Sequence, residues 1–446
     1  MKKEILPTLF VFLCLSHLAL VAQPLKHVPF DSLHSFIHYE SNQLHIGKDS
    51  SLANAFFDKW LRVAETGKGC VNIVHIGSSH VQAGIFPNKV RTNLMKAYPN
   101  LVGGRGMTFP YSAAKKCNNP PDYVVHCKEP MELCRCVYNP PSKELGLCGI
   151  AVTARDTTAC IDIALRNEGI DYKTNQVVLM GYLSDSLPRD SDFVPLINYD
   201  GRDITPSYVD PATRRYVFNL ARNIDSFRIV LPCNGGRAFT LTGLCLGNRD
   251  NGFTYHSIGV NGASLKDYLD KCPYFTRDLR LLRPDMVIFG IGINDAHGPT
   301  FDSATFHAKY RQLADSVRST NPNCFFIFVT NNDSYRRVGR SYAANERALE
   351  VREVMFHLAE ETHGAVWDQF EIMGGLKSMN LWRNAKLGQK DRIHFTHAGY
   401  ELLGNLLTNA LFDAANHRLT NRRPGDLDRT KIEDTNQNAG SYYLSY

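Results

Sequence analysis

The sequence of 446 residues has no strong excess of charge of either sign, and after its first 22 residues it has no apolar run long enough to span a membrane. Its 50 lysines and arginines are nearly balanced by 44 aspartates and glutamates, and the basic residues are scattered along the chain. Nucleic-acid binding usually needs a basic patch, so we expect no nucleic-acid partner. A bilayer span needs about 20 apolar residues, so we expect no membrane span in the mature chain.

The first 22 residues have the features of a secretory signal peptide. Two lysines precede an apolar stretch from Ile5 to Val21, and the small residue Ala22 follows. We predict cleavage after Ala22 and a mature protein exported to the periplasm, the cell surface or the medium. Cys14 lies in the apolar stretch, but the residues before it are too large for a lipoprotein cleavage site, so a lipid anchor is the weaker alternative.

The cysteines are numerous for a chain of this size. Twelve are present, and eleven remain after removal of the signal peptide, so at least one thiol is expected to be unpaired. Six of them crowd between Cys117 and Cys160, and in an oxidising compartment this predicts one or more local disulfides. Cys134 and Cys136 could instead bind zinc with Cys127 or Cys148, but the spacing matches no familiar zinc motif.

Two patterns of hydrophobicity alternate along the chain. "VNIVHI", from Val71, reads as a buried strand, and a glycine-bounded turn and the helix "FPNKVRTNLMKAY" follow it. After Asn251 strands and helices alternate again, which predicts a parallel sheet covered by helices. Between Cys117 and Cys245 the segments are short and β-rich, such as "IAVTA", "CIDIAL" and "QVVLMGYL", which is typical of a β-sandwich or jelly roll.

The simplest organisation is an α/β domain whose chain leaves after its first helix, builds a β-domain and returns. We therefore predict five segments along the sequence: a signal peptide at 1–22, the first part of the α/β domain at 23–118, the inserted β-domain at 119–250, the second part of the α/β domain at 251–417 and a polar tail at 418–446.

Four loops of the predicted α/β domain follow strands and carry chemically useful residues. They are "GSSH" (77–80), "GVNGA" (259–263), "GIND" (292–295) and "DRIH" (391–394). Ligands bind beyond the carboxyl ends of the strands in an open parallel sheet, so these loops are expected to meet. Together they supply a serine nucleophile, a histidine base, an aspartate to orient it and donors for an oxyanion, which ester hydrolysis requires.

The order of these blocks resembles that of the SGNH (GDSL) hydrolases, named for Ser, Gly, Asn and His in four separate blocks. The resemblance implies a flavodoxin-like three-layer α/β/α domain. By motif it makes Ser79 the nucleophile and Asp391 and His394 the other members of the triad. It places the backbone N–H groups of Ser79 and Gly262, with the amide of Asn294, in the oxyanion hole.

Three longer stretches resemble exported bacterial proteins related to peptidoglycan O-acetylesterases: "HIGSSHVQAG", the segment 103–111 and the segment 390–400. Those relatives also interrupt the hydrolase domain with a β-sandwich similar to a carbohydrate-binding module. The resemblance covers 71–118 and 251–417, and it implies a monomeric enzyme with an acetylated glycan, peptidoglycan first, as its substrate. It implies no metal and no cofactor.

One position departs from the family pattern. Relatives usually carry Asp between the glycine and the nucleophile, and this chain has Ser78, which brings no charge. Three functions therefore remain open. The first is an O-acetylesterase with a Ser-His-Asp mechanism, the second an O-acetyltransferase using the same acetyl-enzyme, and the third an inactive glycan-binding surface protein.

Several neighbours of the motifs have less certain roles. Arg105 is expected either to meet an acidic substrate group or to brace a loop, and Asp295 to support the loop that carries Asn294. His80 is expected to be structural, with a hydrogen bond to a neighbouring loop, and Gln82 similarly. His397 could form a metal pair with His394, but the helix that starts there favours a place in its first turn.

Overall fold

The computed structural model describes residues 23–115, 117–166, 169–184, 194–233, 237–248 and 252–422. The predicted signal peptide lies outside the described residues, as does the predicted tail beyond residue 422.

The described residues form twenty strands and eleven α-helices. The strands are β1 (Leu44–Ile46), β2 (Cys70–Gly77), β3 (Gly106–Met107), β4 (Tyr123–His126), β5 (Glu132–Arg135), β6 (Ile150–Ala154), β7 (Cys160–Leu165), β8 (Gln176–Leu183), β9 (Leu196–Tyr199), β10 (Arg202–Ile204), β11 (Tyr208–Asp210), β12 (Arg215–Asn219), β13 (Ser226–Val230), β14 (Phe239–Gly247), β15 (Gly252–Gly259), β16 (Met286–Gly290), β17 (Phe325–Val329), β18 (Tyr335–Val338), β19 (Ser341–Ala344) and β20 (Ala365–Trp367). The helices are α1 (Ser51–Thr66), α2 (Ser79–Gln82), α3 (Ile85–Ala97), α4 (Leu265–Lys271), α5 (Phe275–Leu282), α6 (Ile293–His297), α7 (Ser303–Arg318), α8 (Arg347–Thr362), α9 (Gln369–Ile372), α10 (Met379–Asn384) and α11 (His397–Asn421).

One sheet of six strands organises the α/β part of the chain, in the order β1-β20-β17-β16-β2-β15. All of its pairs are parallel except that of the edge strand β1 with β20. In chain order the parallel strands follow the 2-1-3-4-5 arrangement of flavodoxin-like folds. The predicted fold class is therefore confirmed, while the edge strand β1 was not predicted.

Strand β2 carries buried apolar side chains on both faces of the sheet. Val74 and Ile76 belong to one buried apolar cluster and Val71 and Ile73 to the other, because successive side chains of a strand point to opposite faces. Helices α1, α3 and α11 contribute to the second cluster, and α4, α7 and α8 to the first. The result is a three-layer α/β/α arrangement.

Two further sheets, entirely antiparallel, lie between β2 and β15 in the sequence. Their strand orders are β10-β9-β13-β7-β4 and β11-β12-β8-β14-β6-β5. The apolar faces of both sheets contribute to one buried cluster, which agrees with the inserted β-sandwich that the sequence predicts. Strand β3 precedes residue 119 yet pairs with β14, so the first α/β segment also contributes to this sandwich. The exact domain boundaries stay a prediction.

A buried ion-pair network fixes the chain where it enters the sandwich. Asp122 accepts hydrogen bonds from Arg105 at 2.8 and 3.1 Å and from Arg91 of α3 at 3.2 Å. All three side chains are at most 2% exposed. Arg105 therefore braces this junction, which is the second of the two roles expected for it, and it is too deeply buried to meet a substrate group.

The predicted local disulfides are wrong for this structure. In the part of the chain that the structure describes, none of the eleven cysteines belongs to a disulfide. Several, including Cys134 and Cys245, are fully buried on strands that face the apolar cluster. They act there as small apolar side chains, and crowding in the sequence does not bring their sulfur atoms together in disulfide pairs.

The last helix, α11, ends at Asn421, three residues beyond the predicted start of the polar tail at residue 418. Arg418 on this helix pairs with Asp58 of α1 at 2.6 and 2.8 Å, which holds the helix end in place. Among the described helices, none has the length and apolar character needed to cross a membrane.

Candidate active site

The turn after strand β2 places a serine at the carboxyl end of the parallel strands. Strand β2 ends at Gly77, and helix α2 begins at Ser79. A Cβ atom at Gly77 would lie 2.3 Å from the side chain of Val81 and 2.7 Å from the carbonyl oxygen of Gly290. Only glycine allows so close an approach, which explains why the first block begins with this residue.

Ser79 is the first member of a continuous hydrogen-bonded chain. Its Oγ lies 2.7 Å from Nε2 of His394, and Nδ1 of His394 lies 2.7 Å from Oδ2 of Asp391. The serine is separated from the histidine by 315 positions in the sequence. The structure thus brings together the three residues that the sequence nominates as a triad, in hydrogen-bonding order.

Asp391 is held so that its carboxylate faces the imidazole. Its Oδ1 accepts the backbone N–H groups of Ile393 and His394, each at 3.0 Å. Burial alone would raise the pKa of Asp391, but these hydrogen bonds and that of the His394 side chain lower it below its ordinary value. The carboxylate is therefore ionised at neutral pH and suited to orient a histidine base.

The loop that carries Asp391 and His394 is fastened to the loop after β17. The buried amide of Asn332 donates to the carbonyl oxygen of Ile393 at 3.0 Å. The backbone N–H of Tyr335 donates to the carbonyl oxygen of Arg392, also at 3.0 Å. Asn332 was not predicted to be part of the site, because an asparagine in "TNNDSY" carries no local signal of a contact about sixty positions away.

The two residues expected to stabilise an oxyanion lie beside Ser79. Gly262 and Asn294 line the same pocket as Ser79 and His394. The amide nitrogen of Asn294 donates to the carbonyl oxygen of Ala263 at 2.9 Å, which fixes the side chain and leaves its second N–H for another acceptor. Gly262 has a φ of 84°, a left-handed conformation that favours glycine.

Asp295 contacts the start of α4, next to the loop that contains Gly262. Its two carboxylate oxygens each lie 3.3 Å from the backbone nitrogen of Leu265, the first residue of α4. Burial raises the pKa of Asp295 to about 6. The residue is thus placed to hold the start of α4 beside the loop that contains Gly262.

His80 packs against the candidate base without competing with it. Its Nδ1 lies 2.8 Å from the hydroxyl of Tyr400 on α11, and its ring centroid is 5.2 Å from that of His394. Burial lowers the pKa of His80 to about 3, and burial does the same for His75 on β2 and His256 on β15. These three buried neutral histidines are uncharged at neutral pH.

Ser78 is buried rather than poised for chemistry. Its side chain is 0% exposed, and its hydroxyl finds no hydrogen-bond partner among the described residues.

The contacts of His397 do not support a metal pair with His394. Nδ1 of His397 lies 3.4 Å from Glu401, and both ring nitrogens of His394 are engaged by Ser79 and Asp391.

The pocket at Ser79 is shallow and has a volume of about 600 Å³. Among the described residues that line it, none carries an acidic or a permanently cationic side chain. Six of the fourteen lining residues carry side-chain amides: Gln82, Asn118, Asn119, Asn261, Asn294 and Gln389. Asn118 and Asn119 were not predicted to be part of the site, because no motif includes them. Asn261 lies in the block 259–263, but only Gly262 of that block was expected to have a role.

Comparisons with known proteins agree with this fold. Residues 236–402 match the GDSL-like lipase/acylhydrolase family, a range that begins after the block containing Ser79. Strand β2, which carries that block, pairs in parallel with β15 and β16 of the matched range. No curated protein matches the chain.

One solved structure has the same fold over most of the chain. A peptidoglycan O-acetylesterase is similar with a TM-score of 0.69 and 20% identity, over 84% of this chain and 99% of that one. An acetyl xylan esterase is 17% identical over 35% of this chain and 78% of that one, with a TM-score of 0.28. A family two carbohydrate esterase from Cellvibrio japonicus is 10% identical over 66% of this chain and 98% of that one, with a TM-score of 0.25. The chain thus shares its fold with a peptidoglycan O-acetylesterase, and residues 236–402 within that fold match the GDSL-like lipase/acylhydrolase family.

Proposed function

We propose that this protein is an exported serine esterase that removes O-acetyl groups from a carbohydrate, with peptidoglycan the favoured substrate. The observation that carries the proposal is the hydrogen-bonded chain from Ser79 through His394 to Asp391, open to a pocket lined by amides. The similar peptidoglycan O-acetylesterase structure supports the choice of substrate, because it shares the fold over 84% of this chain.

The chemistry of the pocket favours a short acyl group on a polar carrier. A long acyl chain needs a deep apolar groove, whereas the apolar lining here is limited to a few side chains such as Ala83, Ile85 and Phe395. Amides match the hydroxyl and acylamino groups of a sugar, since they both donate and accept hydrogen bonds. An acetyl group on a glycan satisfies both conditions.

The reaction proceeds by an acetyl-enzyme. Ser79 Oγ attacks the acetyl carbonyl carbon while His394 Nε2 takes the serine proton, and the tetrahedral oxyanion receives hydrogen bonds from the backbone N–H groups of Ser79 and Gly262 and the amide of Asn294. His394 then protonates the departing sugar oxygen. Water, deprotonated by His394, releases acetate and restores Ser79, and ionised Asp391 stabilises the imidazolium in both steps.

The experiment is acetate release from O-acetylated peptidoglycan by purified mature protein and by Ser79→Ala. We expect Ser79→Ala to lose roughly 10⁴-fold or more of kcat, because removal of a nucleophile leaves only the oxyanion donors and binding. The matched control is Ser78→Ala, which removes a buried hydroxyl without a partner and is expected to retain the activity and the thermal stability of the parent.

A fluorophosphonate probe adds a second readout, and it should label the parent and Ser78→Ala but not Ser79→Ala. Retained acetate release by Ser79→Ala, with unchanged probe labelling, would show that the assignment is wrong. Transfer of acetyl to an added oligosaccharide in place of acetate release would instead support an O-acetyltransferase.

A further inference from the structure

Two exposed side-chain amides line the pocket of the candidate nucleophile. Asn118 belongs to the segment that leads into the β-sandwich, and Asn261 belongs to the loop after β15. Both are exposed, both line the pocket that contains Ser79, and neither side chain hydrogen-bonds to another described residue. We call this pair, Asn118 and Asn261, the amide rim.

One buried side chain ties both halves of the amide rim to the helix of the nucleophile. Gln82, three positions after Ser79, is 4% exposed. Its Oε1 accepts the backbone N–H of Asn261 at 2.6 Å, and its Nε2 lies 3.9 Å from the sulfur of Cys117, the residue before Asn118. The rim and the nucleophile therefore share a common support.

The segment that carries Asn118 is fixed on its other side as well. Asn119 accepts the backbone N–H of Ser112 at 3.1 Å and donates to its hydroxyl at 2.6 Å. Pro120 packs so closely on the turn after α2 that a Cβ atom at Gly84 would lie 2.3 Å from it. Because its neighbours are held, Asn118 can bind a ligand with little loss of backbone freedom.

The absence of charge around this rim limits the chemistry of the ligand. The described lining of the pocket includes no lysine, arginine, aspartate or glutamate, so an anionic sugar would lose hydration there without gaining an ion pair. Amides can satisfy hydroxyl and acetamido groups without such a cost.

We infer that Asn118 and Asn261 determine specificity by binding the uncharged sugar that carries the acyl group. This inference rests on the proposed function. According to this inference, the enzyme selects glycans whose acylated sugar is uncharged where it contacts the amide rim. The segment that leads into the β-sandwich contributes to substrate choice through Asn118.

The test compares two substrates for each variant: partially O-acetylated xylan, which is a neutral glycan, and 4-nitrophenyl acetate, which has no sugar. We expect Asn118→Ala and Asn261→Ala each to raise KM for the glycan roughly 3- to 10-fold, the effect of losing one or two neutral hydrogen bonds. The ratio of kcat/KM for the glycan to that for the small ester should fall by a similar factor.

The matched control is Asn323→Ala, an exposed asparagine just before β17, at the opposite end of the sheet. Its ratio should equal that of the parent. Asn118→Gln should recover part of the lost ratio, because it restores an amide on a longer side chain.

Two results would overturn the inference. One is an unchanged ratio in both alanine variants, and the other is a parent enzyme that hydrolyses O-acetylated polygalacturonate, an anionic glycan, as well as it hydrolyses acetylated xylan. A binding measurement avoids dependence on turnover: on a Ser79→Ala background, Asn118→Ala should raise Kd for acetylated xylohexaose roughly 3- to 10-fold. Failure of the proposed function looks different, since it appears as hydrolysis that persists in Ser79→Ala.

Discussion

Replacing Asn294 with alanine tests the assignment of the oxyanion hole. The side chain of Asn294 is oriented by its hydrogen bond to Ala263 at 2.9 Å, so its second N–H is held in one direction before the reaction begins. Loss of one such donor typically costs roughly 10²- to 10³-fold in kcat, or about 2.7–4 kcal/mol of transition-state stabilisation. Because negative charge develops on the acyl oxygen only during the reaction, KM should change little.

Steady-state kinetics on an acetyl ester would separate kcat from KM for Asn294→Ala. The variant also loses the hydrogen bond to Ala263, which should cost about 1 kcal/mol of unfolding free energy. A control for that loss is Asn321→Ala, since the amide of Asn321 donates to the carbonyl oxygen of Pro284 at the same distance, 2.9 Å, away from the pocket. The control should lose comparable stability and keep its kcat.

The reasoning about Asn294 would be refuted by a folded Asn294→Ala enzyme whose kcat falls less than about tenfold. It would also be refuted by a loss that lies entirely in KM, because that pattern describes a residue that binds the ground state.

Three predictions concern stability. Asp122→Asn should lower the unfolding free energy by about 3–5 kcal/mol in denaturant titrations, because it leaves Arg91 and Arg105 buried without their counter-charge; a loss below about 1 kcal/mol would contradict this. His75, His80 and His256 have folded pKa values near 3, below the ordinary 6.5, because desolvation disfavours the charged ring, so stability should be greatest above pH 6.5 and fall as the pH drops toward 3; a flat profile in that window would refute it. Asp295 has the opposite pH dependence: burial raises its folded pKa to about 6, above the ordinary value for aspartate, so its ionisation costs stability as pH rises from about 4 to 6. Asp295→Asn should therefore gain up to about 3 kcal/mol over the parent across that window, and an equal profile for both proteins would argue against it.

Much of the fold was predictable because its strands are short, apolar and bounded by glycine or polar turns. The five parallel strands and the long helices lie where the hydrophobic pattern places them, since burial on both faces leaves a nearly continuous apolar run in each strand. The edge strand β1 and the hairpin of β18 and β19 were missed. They are three or four residues long and partly exposed, so their sequences carry little periodicity.

The candidate site also contains residues that could be predicted from the sequence and residues that could not. Residues in blocks that directly follow strands, such as Ser79 and Asn294, could be located because a parallel sheet places those loops at one edge. Asn118 and Asn332 could not, because each reaches the site through a contact between distant segments that leaves no local pattern. The role of Arg105 was undecided for the same reason, since its partner Asp122 is recognisable only in three dimensions.

The cysteines show a limit of reasoning from spacing alone. Proximity in sequence favours pairing only if the chain can turn back, and strands such as β5 and β14 carry their cysteines inward as packing side chains. Their chemical reactivity is suppressed by the same packing: burial raises the pKa of Cys127 to about 12, so its thiolate is scarce at neutral pH.

The position of β2 in its sheet has a consequence for how the protein must be made. Both of its neighbours, β15 and β16, follow the whole β-sandwich in the sequence, so this apolar strand emerges early and waits for partners encoded far downstream. Such long-range pairing makes folding slow and leaves an unpaired strand open to aggregation during synthesis. In the proposed mechanism the nucleophile and the base are 315 positions apart, so a chain truncated between them has no base, and activity reports that synthesis has passed His394.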